Sequence, residues 1–184
     1  MQLEQNKYYH LYNRTNNQEL LFKSRDNYLY FLTKYRKYTE TDLDTLAYCL
    51  MPTHFHFMIY VKTDDVVSLK KKLGILLSSY TKAINRSYSR TGSLFQQHTK
   101  SKSLDTEKYF LTVINYIHQN PLRKKLISNL EDWEFSSYRD YAELRDGTLV
   151  KKDYLKSRFG SVEAFKLFSA TKVERLKFIY DLNS

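Results

Sequence analysis

Residues 43–61 read LDTLAYCLMPTHFHFMIYV, and the fold turns on how that stretch divides. Residues 43–50 and 55–61 are short and apolar, and Met51-Pro52-Thr53 separates them. Two strands with a tight connection follow, because Pro52 suits a strand end but not a central ladder. Side chains alternate faces along a strand, so His54 and His56 project from one face with their backbones about 6.6 Å apart. Phe55 then points the other way, into a hydrophobic layer. Two imidazoles converging in this way can hold one divalent ion and leave coordination positions for a substrate. Two ligands alone fall short of a metal site, and an exposed strand carrying two histidines would read the same.

The flanking segments supply partners for such a strand pair. Residues 8–14, YYHLYNR, mix aromatic and polar side chains like a first strand, and the turn-forming TNNQE follows. Ser24 is placed to cap a helix over residues 25–38, in which Tyr28, Phe31, Leu32 and Tyr35 share a stripe. A longer helix is expected over residues 65–86, where Val66, Leu69, Leu73, Leu76, Leu77, Tyr80 and Ile84 recur at helical spacing. Gly74 costs that helix about 1 kcal/mol without interrupting the pattern. After a turn at Thr91-Gly92, residues 94–100 read as another strand. Asp105 reads as the cap of a helix that Pro121 should end. The order strand, helix, strand, strand, helix, strand, helix packs most economically as an α+β domain, a sheet covered mainly on one face by helices. Farther on, residues 133–141 look like an ordered packing segment. Residues 161–170 and 171–180 read as short helices.

Composition narrows the class. The chain of 184 residues is long enough for one domain of ordinary size. At 42% hydrophobic and 27% charged it can build a folded core, and 4 Gly with 2 Pro exclude collagen-like and linker classes. No apolar run is long enough to span a membrane, and MQLEQNKYYH lacks the apolar stretch of a signal peptide. The expected location is therefore the cytoplasm, without a membrane partner. Cys49, the single cysteine, forms no internal disulfide, and buried packing suits it better than ligation. Thirty Lys and Arg against 20 Asp and Glu give a net charge of +10, which favours a polyanionic partner. The 17 Tyr and 11 Phe are too many to lie all on the surface, so some belong to the core and others are available to stack on bases.

A second chemical signal is Tyr116-Ile117-His118-Gln119-Asn120-Pro121. Tyr109, Phe110, Val113, Ile114 and Ile117 make the apolar stripe of the preceding helix. Tyr116 and Asn120 fall one turn apart along one edge of that stripe, at the boundary of sheet and solvent, with His118 turned away. A phenol with a pKa near 10 is a poor nucleophile unless something stabilises the developing charge. An ion held by His54 and His56 would polarise a phosphate for attack, with the side-chain oxygen of Asn120 as a third ligand. The plainer reading is a packed tyrosine and a helix-end asparagine before proline.

Taken together, the motifs resemble a known family. Cys49-Leu50-Met51-Pro52-Thr53-His54-Phe55-His56-Phe57-Met58-Ile59 is similar to the HUH motif of the IS200-like tyrosine transposases, in which two histidines flank a hydrophobic residue. Tyr9-His10-Leu11-Tyr12-Asn13-Arg14, Gly92-Ser93-Leu94-Phe95-Gln96, the Tyr116 segment and Trp133-Glu134-Phe135-Ser136-Ser137-Tyr138 extend the resemblance over residues 5–141. The REP-associated tyrosine transposases are the branch it resembles most, and Asn at position 120 is in keeping with them. The resemblance implies a ferredoxin-like α+β domain over residues 1–130, with residues 131–184 as a C-terminal helical extension packed on it. It also implies Mg²⁺ or Mn²⁺ at His54 and His56, with Asn120 one turn beyond the nucleophile Tyr116. Attack on single-stranded or hairpin DNA, in preference to blunt duplex, would leave a 5′-phosphotyrosine and a free 3′-OH.

The remaining candidates carry two readings each. Arg14 and Asn13, with His10, are placed to touch DNA near the site or to serve as polar edge residues of a first strand. Lys70, Lys71 and Lys72 are phosphate contacts or an ordinary solvated helix face. Gln96 is a base-contact candidate. Both a monomer and a homodimer fit the sequence. A catalytically silent protein that keeps a hairpin-binding surface is the alternative to a metal-dependent nickase and strand transferase.

Overall fold

The computed structural model describes residues 1–171 and Val173. Strands β1 (Tyr8–Arg14), β2 (Leu43–Met51), β3 (His54–Val61) and β4 (Lys100–Ser103) form one antiparallel sheet in the order β2-β3-β1-β4. Helix α1 (Arg25–Thr39) joins β1 to β2, α2 (Val66–Ser87) lies between β3 and β4, and α3 (Glu107–Arg123) follows β4. This is the split β-α-β-β-α-β order of ferredoxin-like sheets. Pro52 and Thr53 turn β2 into β3, and their carbonyls also anchor the chain after β1. Leu21 N donates to Pro52 O at 2.7 Å and Thr15 N to Thr53 O at 2.9 Å.

Strand register sorts the side chains between two faces. On one, Leu11, Phe55 and Phe57 meet Phe31 and Tyr35 of α1 and Leu73 and Leu76 of α2 in a buried layer. The Tyr35 ring stacks on Phe57 at 4.0 Å, and its hydroxyl reaches Thr45 Oγ1 at 2.9 Å. Tyr80 is likewise buried, donating to Leu21 O at 2.8 Å. Several tyrosines are therefore core residues whose hydroxyls have found acceptors. The helices α1 and α2 make the expected layer on this face. The opposite face carries His10, Tyr12, Arg14, His54 and His56, and α3 packs across it, with Phe110 edge-on to Tyr8 at 5.2 Å.

Three boundaries differ from the sequence expectation. The fourth strand is Lys100–Ser103, not residues 94–100. Leu94 and Phe95 are buried as loop anchors instead: Asn16 N donates to Leu94 O, Gln96 N to Arg14 O, and Asn16 Nδ2 to Phe95 O. An edge strand needs no apolar side chains, so the polar run KSKS pairs with β1. Thr106, not Asp105, caps α3 by accepting from Tyr109 N at 3.2 Å. Pro121 lies inside α3, which continues to Arg123.

Residues beyond 130 contain α4 (Tyr138–Tyr141), α5 (Asp153–Phe159) and α6 (Val162–Ala170). The expected helix over residues 161–170 is α6, capped by Ser161, which accepts from Ala164 N at 3.1 Å. Helix α5 was not foreseen, and a helix over residues 171–180 lies outside the described residues apart from Thr171 and Val173. The segment around Ser136 pairs with the outer edge of β2: Leu50 N donates to Phe135 O and Ser137 N to Tyr48 O. Tyr141 donates to Leu46 O and Lys151 N to Thr45 O. Among the described residues, no helix is long and apolar enough to cross a membrane.

Candidate active site

Strand β3 brings His54 and His56 to one face, as their spacing requires, with ring centroids 5.1 Å apart. His54 is half-buried, and its Nδ1 is 3.0 Å from Thr53 Oγ1. His56 is fully buried. Its Nδ1 lies 3.0 Å from Nε2 of His10 on β1, while its own Nε2 is buried with no hydrogen-bond partner. Burial pulls His10 down to about 3. Burial, then the charges of Lys124 and Arg14, pulls His54 down to about 4. His56 is held well below the usual value by burial, then by its two histidine neighbours. All three imidazoles are neutral near pH 7, the form that ligates a metal.

Helix α3 delivers Tyr116 to this cluster. Its ring stands edge-on to His56 at 5.5 Å and to His10 at 6.1 Å. Tyr116 is 4% exposed, so it does not sit at the sheet–solvent boundary expected from the helical stripe. The stripe is not the only buried face, because the chain after residue 130 covers the other side of α3. His118, turned away from Tyr116, is 2.8 Å from Ser137 Oγ, and Asn115 and Gln119 donate to Thr171 O. Burial pushes the Tyr116 phenol up to about 12, opposed by the Arg123 charge and a side-chain hydrogen bond with Asn120. The Arg123 guanidinium lies 5.6 Å from the Tyr116 ring centroid.

Asn120 is beside Tyr116, yet its amide nitrogen is committed to the helix, donating to Tyr116 O at 2.9 Å and Ile117 O at 3.5 Å. Its oxygen is the atom with which it would act as a ligand. The donor chemistry fits one divalent ion: a buried, partnerless imidazole nitrogen at His56, a second imidazole on the same face, and an amide close by. Among the described residues, no group of three or more His, Cys, Asp or Glu is arranged to hold a metal. Any remaining coordination positions would fall to Asn120, water or the substrate.

The structure separates the other candidates. Arg14 pairs in register with His54, and its charge is felt there together with that of Lys124. Asn13 points to the other face, where Nδ2 donates to Gln96 O at 3.3 Å and Thr99 Oγ1 at 3.1 Å, so it fastens a loop. Gln96 lies in that loop, its backbone amide held by Arg14 O at 2.8 Å. Lys70, Lys71 and Lys72 lie on α2, across the sheet from the histidines, and Lys72 is paired with Asp42 at 2.6 Å. Lys100 and Lys102, which the sequence reading passed over, are exposed beside the site, in register with Tyr12 and His10. Cys49 is buried and reduced, with Sγ 3.7 Å from Met51 Sδ.

Comparison with solved structures finds one described as a REP-associated tyrosine transposase bound to a REP hairpin. It superposes with a TM-score of 0.66, covering 96% of this chain and 93% of the other at 15% identity. Among curated proteins, a Haemophilus influenzae protein provisionally named as a REP-associated tyrosine transposase is 22% identical over 105 residues. The chain is therefore similar to REP-associated tyrosine transposases, in fold over its length and in sequence over part of it. That alignment covers 52% of this chain and 58% of the relative, so the chain spans little more than half of the relative's length. No family model matches the sequence. The mixed α+β fold with its antiparallel sheet agrees with the structural neighbour, and the partial sequence likeness is in keeping with the family resemblance.

Proposed function

We propose that the chain is a divalent-metal-dependent single-strand DNA endonuclease and strand transferase that acts on hairpin-forming DNA through Tyr116. The observation that carries this reading is the convergence of Tyr116 from α3 with His56 from β3, at a ring separation of 5.5 Å. Tyr116 Oη forms the bond to phosphorus, and the 3′-oxygen leaves with its electron pair and takes up a proton as the phenol loses one. The products are a 5′-phosphotyrosine and a free 3′-OH, and the phosphodiester energy is conserved for joining. Mg²⁺ or Mn²⁺, held by His54 and His56 with Asn120 as an amide donor, would supply polarisation of the scissile phosphate.

The chain's own residues do the rest. Burial keeps Tyr116 protonated until a phosphate is engaged, and Arg123 stabilises negative charge beside its ring. Arg14, Lys124, Lys100 and Lys102 lie on the side of the sheet where the DNA backbone would run. The hairpin partner is suggested by the DNA in the related solved structure. Residues 131–171 enter this reading as a brace for α3, packed on the catalytic domain formed by residues 1–130.

End-labelled hairpin DNA incubated with Mn²⁺ tests the proposal. A covalent adduct should form under denaturing conditions and map to Tyr116 by mass spectrometry, and Tyr116→Phe should bind the hairpin but neither nick nor link it. Clean hydrolysis without an adduct, or an adduct on another tyrosine, would overturn the assignment. Hairpin binding with no cleavage under any divalent ion would instead establish a silent DNA-binding protein.

A further inference from the structure

The HUH pair does not account for a third imidazole buried against it. His10 Nε2 and His56 Nδ1 are 3.0 Å apart with both residues almost fully enclosed, so exactly one proton sits between them when both rings are neutral. Two arrangements satisfy that bond. In one, His56 Nδ1 donates to His10 Nε2, and His56 Nε2 keeps a lone pair. In the other, His10 Nε2 donates, and His56 Nε2 carries a proton and ligates nothing. Both leave His10 Nδ1 and His56 Nε2 without protein partners, so hydrogen-bond counting does not choose between them.

The proposed metal role does choose: only the first arrangement leaves His56 Nε2, the buried nitrogen without a protein partner, the lone pair that a metal ligand needs. Strand pairing makes the arrangement rigid: His10 pairs with Met58 and Tyr12 with His56, so both imidazoles stand on the face that α3 closes. The ring planes lie 28° apart at 5.1 Å, and Tyr116 packs edge-on against both.

We infer that His10 is a positioning residue that accepts the Nδ1 proton of His56 and so holds His56 in the tautomer with its Nε2 lone pair ready for a metal ion. This rests on the proposed metal role of His54 and His56. His10 touches neither ion nor DNA in this role; it acts through the ring it orients.

The test measures Mn²⁺ binding directly, by electron paramagnetic resonance titration of the full chain without DNA. Four proteins are compared: wild type, His56→Ala, His10→Phe and His10→Gln. Phe fills the space but accepts no hydrogen bond, while the Gln carbonyl oxygen replaces the acceptor. Loss of Mn²⁺ binding in His56→Ala establishes the site itself. On that background, His10→Phe should bind about 10- to 100-fold more weakly, with His10→Gln recovering most of the loss. Hairpin affinity in chelator should be unchanged in both His10 variants. Wild-type Mn²⁺ affinity in His10→Phe, or an equal loss in His10→Gln, overturns the inference while leaving the metal site intact; unchanged binding in His56→Ala instead removes the site on which it rests. Should the variants fail to fold, ¹⁵N spectra of histidine-labelled, metal-free wild type decide the matter. A proton on His56 Nδ1 supports the role, and a proton on Nε2 overturns it.

Discussion

Pro121 offers no amide to the carbonyl of Ile117, and the Asn120 side chain supplies a substitute donor at 3.5 Å while also bonding Tyr116 O at 2.9 Å. That is how α3 passes through a proline that should have ended it. Asn120→Ala should therefore lower stability by about 1–2 kcal/mol, read by urea unfolding, because buried carbonyls lose a donor. It should also slow cleavage, since the lost side chain is the neighbour that steadies Tyr116. Tyr116→Phe should leave the urea midpoint close to wild type, because the ring packing that fills the site is retained. At this scale the pair His54 and His56 was legible from strand alternation, and Tyr116 with Asn120 from helical spacing. His10 was legible only as a DNA-contact candidate or strand-edge residue, because its contact with His56 depends on the pairing of β1 with β3, which alternation along one strand does not reveal. The burial of Tyr116 was hidden for a similar reason: the residues that cover α3 come from a distant part of the chain.

Helices α1 and α2 follow their apolar periodicities closely, since each buries one broad stripe against a sheet. Strand β4 escaped because the signal of an edge strand is weak, and the apolar Leu94-Phe95 nearby marks a loop plugged into the core instead. The displacement matters for the proposed DNA path. It puts Lys100 and Lys102 beside the histidines, whereas Lys70 and Lys71 ride on the helix across the sheet. Replacing both Lys100 and Lys102 with Ala should weaken hairpin binding and reduce the salt slope, log affinity against log salt, by about 0.7–0.9 per lysine that meets a phosphate. The paired change Lys70→Ala with Lys71→Ala should leave that slope nearly unchanged. Fluorescence anisotropy at several salt concentrations reads both, and the opposite ranking would move the DNA path to the α1–α2 side.

The architecture as a whole depends on contacts made by residues beyond 130. Arg145 binds the Asp140 carboxylate, Tyr48 Oη and the carbonyls of Glu134 and Ser136, tying that part of the chain to β2. A Cβ at Gly147 would collide with the Asp140 carboxylate that Arg145 holds in place. Gly147→Ala should cost about 1–3 kcal/mol by thermal or urea unfolding, and hairpin cleavage should fall with the loosened brace. Acid should have a related effect. Burial holds His10 and His118 at about 3 and His54 at about 4, below an unfolded value of 6.5. The unfolded chain therefore binds more protons between those values: stability is full above pH 6.5 and falls as pH drops toward 4. Each such histidine contributes up to about 1.4 kcal/mol per pH unit in that window. Urea midpoints of metal-free protein should drop steeply from pH 7 to 5, and a flat profile would contradict the buried neutral state. The edge of β2 that receives Phe135 and Ser137 also imposes a timetable on the growing chain. At about 5–20 residues per second, a ribosome needs about 4–15 s to proceed from Val61 to Ser137. Throughout that interval the nascent polypeptide holds both histidines of β3 but lacks the cover for its outer strand, and for most of it lacks Tyr116 as well. It can begin to form a sheet before the proposed active site is complete, and its bare strand edge is then most open to pairing with a neighbouring nascent chain.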